Sequence, residues 1–75
     1  MLTIYSKNNC GYCVQAKSLL KNNDIPYEEI NIEEDADQMQ FILSEVHRTM
    51  PQIYVDGKSI GGYQQLIQLN ESAFN

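Results

Sequence analysis

The chain has 75 residues, 43% of them hydrophobic, enough for one small core near the size at which burial only just offsets chain entropy. Its formal net charge of -5 argues against a nucleic-acid partner, which needs a basic face. The charge is uneven: residues 1–23 carry Lys7, Lys17 and Lys21 and no acid, whereas residues 24–75 carry ten acids against Arg48 and Lys58.

A single domain over residues 1–75 is expected, with no linker, repeat or low-complexity tract. Met1 leads straight into the alternation Leu2-Thr3-Ile4-Tyr5, with no charged leader and no long apolar run. Neither a signal peptide nor a membrane span is therefore expected, and a cytoplasmic location follows as the working assumption.

Leu2 to Ser6 alternates and is rich in β-branched and aromatic residues, so it reads as a strand. From Gly11 or Tyr12 to about Lys21 the pattern turns helical, with Cys13, Ala16 and Leu20 on one face and Leu19 beside it, and Asn22-Asn23-Asp24 ends it. Ile25 to Ile32 reads as a second strand with Pro26 at its entrance. Asp35 to about His47 places Met39, Ile42, Leu43 and Val46 at helical spacing and predicts a helix that buries that stripe. Gln52–Val55 and Lys58–Ile60 predict two strands joined by the Asp56-Gly57 turn. Gly61-Gly62 breaks the second of them, and Tyr63, Leu66 and Ile67 mark a last short helix. The order βαβ, α, ββα predicts an α/β fold, a four-stranded mixed sheet with three helices on its two faces, which is the thioredoxin-like architecture. Glu28, Glu29, Glu33, Glu34, Asp35 and Asp37 read as a solvated acidic face, some of them favoured by the helix that follows.

Both cysteines lie in "KNNCGYCVQ", residues 7–15, at the junction of the first strand and the first helix. A structural zinc site would need four ligands where the chain offers Cys10, Cys13 and the lone His47, so only a dimer sharing its sites could complete one. His47 reads instead as a surface residue at a helix end. A permanent staple across two intervening residues would close too small a loop to stabilise much. Redox exchange has its physical needs met: Cys10 sits at a helix N-terminus, whose free amides stabilise a thiolate, and Lys7 adds a cation nearby. Cys10 would attack, and Cys13, one turn along and facing inward, would resolve the mixed disulfide.

These residues resemble a glutaredoxin over nearly the whole chain, Ile4 to Leu66. "IYSKNNCGYC" is similar to the family's strand and active site of the form Tyr-Ser-Lys-x-x-Cys-Pro-Tyr-Cys. "RTMPQIYVDGKSIGGYQQL" is similar to its Thr-Val-Pro segment and its Gly-Gly turn into the last helix. The resemblance implies a cis Met50-Pro51 peptide facing Cys10. It also implies a glutathione site in which Lys7 meets the glycyl carboxylate, Tyr12 flanks it, and Thr49 and Met50 hold the middle. Gly62, Tyr63 and Gln64 would receive the γ-glutamyl end, and Gln38 would help at the glycyl end. Each has a plainer reading: a loop charge for Lys7, a surface aromatic for Tyr12, a strand opener for Thr49, a simple turn for the glycines. Tyr5, Tyr27 and Tyr54 read as packing residues.

Three departures stand out against that resemblance. Gly11 replaces the usual proline between the cysteines, Asn8-Asn9 replaces a proline and an aromatic, and Gln64 stands where an acid commonly meets the α-amino group of glutathione. The loss of charge at Gln64 would weaken glutathione binding by roughly 1 kcal/mol.

The leading expectation is a monomeric dithiol glutaredoxin serving redox homeostasis. It would reduce protein disulfides and glutathione mixed disulfides, with ribonucleotide reductase among the candidate substrates, recycled by glutathione and requiring no metal. One alternative is a redoxin recycled directly by thioredoxin reductase. The other, motivated by Gly11, is a [2Fe-2S] carrier in which two chains and two glutathiones hold a cluster through the Cys10 thiolates.

Overall fold

A computed structural model describes residues 1–45 and 49–69. Among these residues seven elements run in chain order: β1 (Leu2–Ser6), α1 (Gly11–Asn22), β2 (Tyr27–Asn31), α2 (Ala36–Ser44), β3 (Gln52–Val55), β4 (Lys58–Gly61) and α3 (Tyr63–Leu69). The four strands form one sheet in the order β2-β1-β3-β4. β1 runs parallel to β2, with Leu2 opposite Tyr27, and antiparallel to β3, with Ile4 opposite Ile53; β3 and β4 are antiparallel. The expected α/β architecture of four strands and three helices is the observed one.

β1 is the second strand of the sheet and is covered on both faces, which is why nearly all of it is buried. Leu2 and Ile4 point to one side, where they pack with Ala16 and Leu20 of α1, Ile53 of β3 and Leu66 of α3. Tyr5 points to the other, where it packs with Ile32, Tyr54 and Ile42 of α2. Alternation along one strand thus serves two half-cores, each covered by helix. Ile4, Leu20, Ile53 and Leu66 are fully buried, and each such side chain contributes about 1.5–3 kcal/mol of burial free energy.

The helix and turn signals have visible causes. Cys13, Ala16 and Leu20 are the buried positions of α1, which ends where Asn23 N–H bonds the Leu19 carbonyl and Asp24 turns to φ 54°. The hairpin between β3 and β4 takes Asp56 and Gly57 at φ 50° and 84°, the paired positive values that a tight two-residue loop requires.

Three expectations are corrected. β2 begins at Tyr27 rather than Ile25, although Ile25 still packs against the core. α2 begins at Ala36, because the Asp35 carboxylate accepts the backbone N–H groups of Asp37 and Gln38 as a cap, and it ends at Ser44; Val46 and His47 lie outside the described residues. Leu43, expected in the buried stripe, is 60% exposed. Leu43 and Phe41 flank Ile42 by about 100° on opposite sides of the helix. Phe41, itself 39% exposed, lies on the flank nearer the sheet, its ring tilted against those of Tyr5 and Tyr54 at 5.9 and 5.7 Å, and Leu43 is left on the more exposed flank.

The acids of residues 28–37 are also more than a solvated face. Glu29 accepts a hydrogen bond from Lys17 Nζ at 2.9 Å and another from the buried Ser6 hydroxyl at 2.8 Å. The Lys17 hydrogen bond, assisted by that of Ser6, holds the Glu29 carboxyl below its ordinary range against the opposing effect of burial. β1, β2 and α1 are thereby tied together beside the strand end that leads to the cysteines. Among the described residues no helix is long and apolar enough to cross a membrane.

Candidate active site

β1 ends in the buried Ser6 and releases the chain into the exposed residues Lys7, Asn8 and Asn9. Asn9 takes φ 56°, a left-handed value that asparagine tolerates better than most residues, and the next residue, Cys10, caps α1. The Cys10 backbone is extended, at φ -119° and ψ 103°, and its sulfur accepts the backbone N–H of Cys13 at 3.1 Å. A sulfur in a capping position receives one of the amides that a helix start leaves unpaired, and the positive end of the helix favours negative charge there.

Cys10 and Cys13 are joined by a disulfide. Their surroundings differ sharply. Cys10 is half-buried and opens onto a groove, whereas Cys13 is 2% exposed and does not line it. The Met50–Pro51 peptide is cis, and the Met50 carbonyl oxygen lies 3.7 Å from the Cys10 sulfur, within reach of a thiol proton once the bond is reduced.

The groove has a volume of about 900 Å³. Of the residues singled out from the sequence, it brings together Lys7, Cys10, Tyr12, Thr49, Met50, Pro51, Gly62, Tyr63 and Gln64. Tyr12 and Tyr63 stack across it at 5.4 Å, joining the start of α1 to the start of α3. Gln38 is not brought in: it sits in the first turn of α2, its N–H held by Asp35 at 3.2 Å. Lys7 is the one charged side chain among the described residues that line the groove, so a chain of net charge -5 presents a cation where it presents its thiol.

Gln65 also lines the groove, and nothing was read into it from the sequence. Its Oε1 accepts the Gly62 N–H at 2.8 Å, which is one arm of a capping box, while the Leu66 N–H makes the first helical bond of α3 to the Gly62 carbonyl. The spacing of Gly62 and a glutamine three residues on was the available signal. The backbone is constrained at Gly61, by its positive φ and a close approach, and is only tight at Gly62. Gly61 has φ 112°, and a Cβ on it would fall 2.6 Å from Gln65 Cγ; one on Gly62 would fall 3.2 Å from the Pro51 carbonyl oxygen.

Gly11 is different, since a Cβ on it would meet nothing within 4 Å. It occupies the first position of α1, where proline is favoured because the N–H there has no helical partner, and the extended Cys10 before it is already in the conformation that a following proline demands. Gly11→Pro is therefore expected to be accepted without rearrangement and to stabilise the fold by about 0.4–1 kcal/mol through the unfolded state. Denaturant titration of the variant checks this; a loss of stability would show that Gly11 is required for the backbone path between the cysteines.

An accessible sulfur at a helix cap, backed by a shielded one, on a mixed sheet of this order, is the arrangement of the thioredoxin-like thiol–disulfide oxidoreductases. The Glutaredoxin family model matches residues 2–60. The chain is 37% identical over 75 residues to Glutaredoxin-C4 of Arabidopsis thaliana, covering 95% of this chain and 56% of that protein. It is 34% identical over 64 residues to the glutaredoxin-like protein NrdH of Lactococcus lactis, covering 85% of this chain and 89% of that one. Its fold is similar to that of a buckwheat glutaredoxin–glutathione complex, with a TM-score of 0.81 at 27% identity over 97% of this chain and 70% of the other. This chain belongs to the glutaredoxin family, as a thiol oxidoreductase with a Cys-x-x-Cys pair.

Proposed function

We propose that the chain reduces protein disulfides and glutathione mixed disulfides through the Cys10/Cys13 dithiol and is returned to the reduced form by glutathione. The observation that carries this reading is the unequal exposure of the two sulfurs, Cys10 opening onto the groove and Cys13 buried behind it. The Cys10 thiolate attacks one sulfur of the substrate disulfide, forming a Cys10–substrate bond and releasing the other substrate sulfur as a thiolate. Cys13 then gives up its proton and attacks Cys10, closing the intramolecular disulfide and releasing the second substrate thiolate. Two electrons have passed from the dithiol to the substrate. Two glutathione thiols restore the dithiol by the reverse exchange and leave as glutathione disulfide.

In this reading Lys7 meets the glycyl carboxylate, Tyr12 flanks it, and Thr49 with Met50 lines the middle. Gly62, Tyr63 and Gln64 face the γ-glutamyl end, with the Gly62 amide already engaged by Gln65. The buckwheat relative supports the reading, since it forms a glutathione complex on a similar fold. A reducing compartment such as the cytoplasm suits a dithiol reductant of this kind.

One observation favours a second reading, in which thioredoxin reductase recycles the protein and ribonucleotide reductase is among its substrates. The groove holds Gln64 and Gln65 but no carboxylate among its described residues, so the α-ammonium of glutathione would find no counter-charge there. The NrdH relative belongs to the same family. Turnover of a small mixed disulfide with NADPH separates the two readings. Turnover with glutathione and glutathione reductase, and none with thioredoxin reductase alone, is the expected result; the opposite pattern would replace the first reading by the second.

A further inference from the structure

The loop that leads to Cys10 is fastened to the end of β2 by four hydrogen bonds that close a ring. Asn8 donates its backbone N–H to Glu33 Oε1 at 3.1 Å and its Nδ2 to Glu33 Oε2 at 3.0 Å. Asn31, at the end of β2, donates its Nδ2 to Asn8 Oδ1 at 2.9 Å, and the Glu33 N–H returns to Asn31 Oδ1 at 2.9 Å. Both carboxylate oxygens and both polar ends of each asparagine side chain are used. Hydrogen bonds to an ionised carboxylate are stronger than neutral ones, and a closed ring defines orientation as well as distance.

Each of these side chains is at or near the surface, so the ring has little to do with holding the core. It acts on a short exposed stretch, residues 7–9, between a buried strand end and the cap of α1. Lys7, directly before Asn8, lines the groove beside Cys10. The positions where proline and an aromatic ring would have stiffened this stretch carry Asn8 and Asn9, and the ring of hydrogen bonds provides the stiffness by another route. We infer that Asn8, clasped by Glu33 and Asn31, is a positioning residue that keeps the Lys7 ammonium directed at the groove and thereby sets the preference of Cys10 for anionic reaction partners.

The clasp touches no reacting atom and acts through Lys7, which makes the inference testable apart from any choice of physiological reductant. The experiment compares alkylation of Cys10 in the reduced protein by iodoacetate, an anion, and by iodoacetamide, its neutral counterpart, at one pH and low ionic strength. Asn8→Ala opens the ring by removing its two Asn8 side-chain bonds, to Glu33 Oε2 and from Asn31 Nδ2, without changing any charge. It is expected to lower the iodoacetate-to-iodoacetamide rate ratio about two- to fivefold, the range that exposed charge contacts reach. In a Lys7→Gln background the same Asn8→Ala change is expected to leave the ratio unaltered. An unchanged ratio with Lys7 present, or an equal fall with Lys7 absent, would overturn the inference. A general loosening of the fold would move both rates together and leave their ratio where it was.

Discussion

Cys10→Ser is expected to abolish thiol–disulfide exchange, leaving only the uncatalysed rate. A serine hydroxyl is not ionised at neutral pH and forms no bond to sulfur that a second thiol could resolve, so neither half of the exchange survives. The remaining thiol cannot substitute, because Cys13 is 2% exposed and lies behind the groove rather than in it. Cys13→Ser should behave differently. It keeps the sulfur that caps α1 and opens to the groove, so a mixed disulfide that an external thiol can resolve should still turn over, while reduction of protein disulfides by internal closure should be lost. Assays of each variant against both kinds of substrate provide the check. Substantial exchange by Cys10→Ser would mean that Cys13 is reachable in solution and that the two cysteines had been given the wrong roles.

Leu66→Ala is expected to be the most damaging change away from the chemistry. Leu66 is fully buried and joins α3 to Leu2, Ile4, Ala16, Leu20 and Ile53 in one half-core. Truncating such a leucine costs about 2–5 kcal/mol, and in a domain of this size each kcal/mol lowers the melting temperature by roughly 4–8 °C. The functional effect follows from the same contact. α3 carries Tyr63 and Gln64 and stacks Tyr63 on Tyr12, so a helix no longer anchored by Leu66 would lose its hold on one wall of the groove. Thermal melting together with KM for a small mixed disulfide reads both consequences. A drop of less than a few degrees would show that α3 owes its position to other contacts.

The order of the elements was legible from residue pattern alone, because β1, α1 and the β3–β4 turn carry patterns that match what the structure asks of them. Leu2, Ile4 and Tyr5 alternate; Cys13, Ala16 and Leu20 recur at helical spacing; Asp56-Gly57 has the conformational freedom a tight hairpin demands. Pattern failed where two solutions were nearly equal. Either flank of Ile42 could have faced the sheet from the sequence, and the rings of Tyr5 and Tyr54, brought opposite α2 by pairing β1 with β3, take Phe41 rather than Leu43 as their ring neighbour, although neither flank is buried.

At the site, the sequence by itself determined the chemistry: two thiols three residues apart at a strand-to-helix junction, with a lysine in the turn before them. It also placed Thr49, Met50 and Pro51 in one motif and Gly62, Tyr63 and Gln64 in another. The family resemblance implied that these segments share one site; local pattern does not, and the tertiary structure brings them to one groove and leaves Gln38 outside it. Residues 7, 50 and 62 are distant in the chain and are joined by the sheet order, a property of pairing that no local pattern encodes. The same holds for the acids. From the sequence, Glu29 and Glu33 were two more charges on a solvated face, since an acid's role depends on its partner. Folding sets Glu29 against Ser6 and Lys17, and Glu33 against an asparagine 25 positions earlier, and so turns part of a charged surface into the support of the active-site loop.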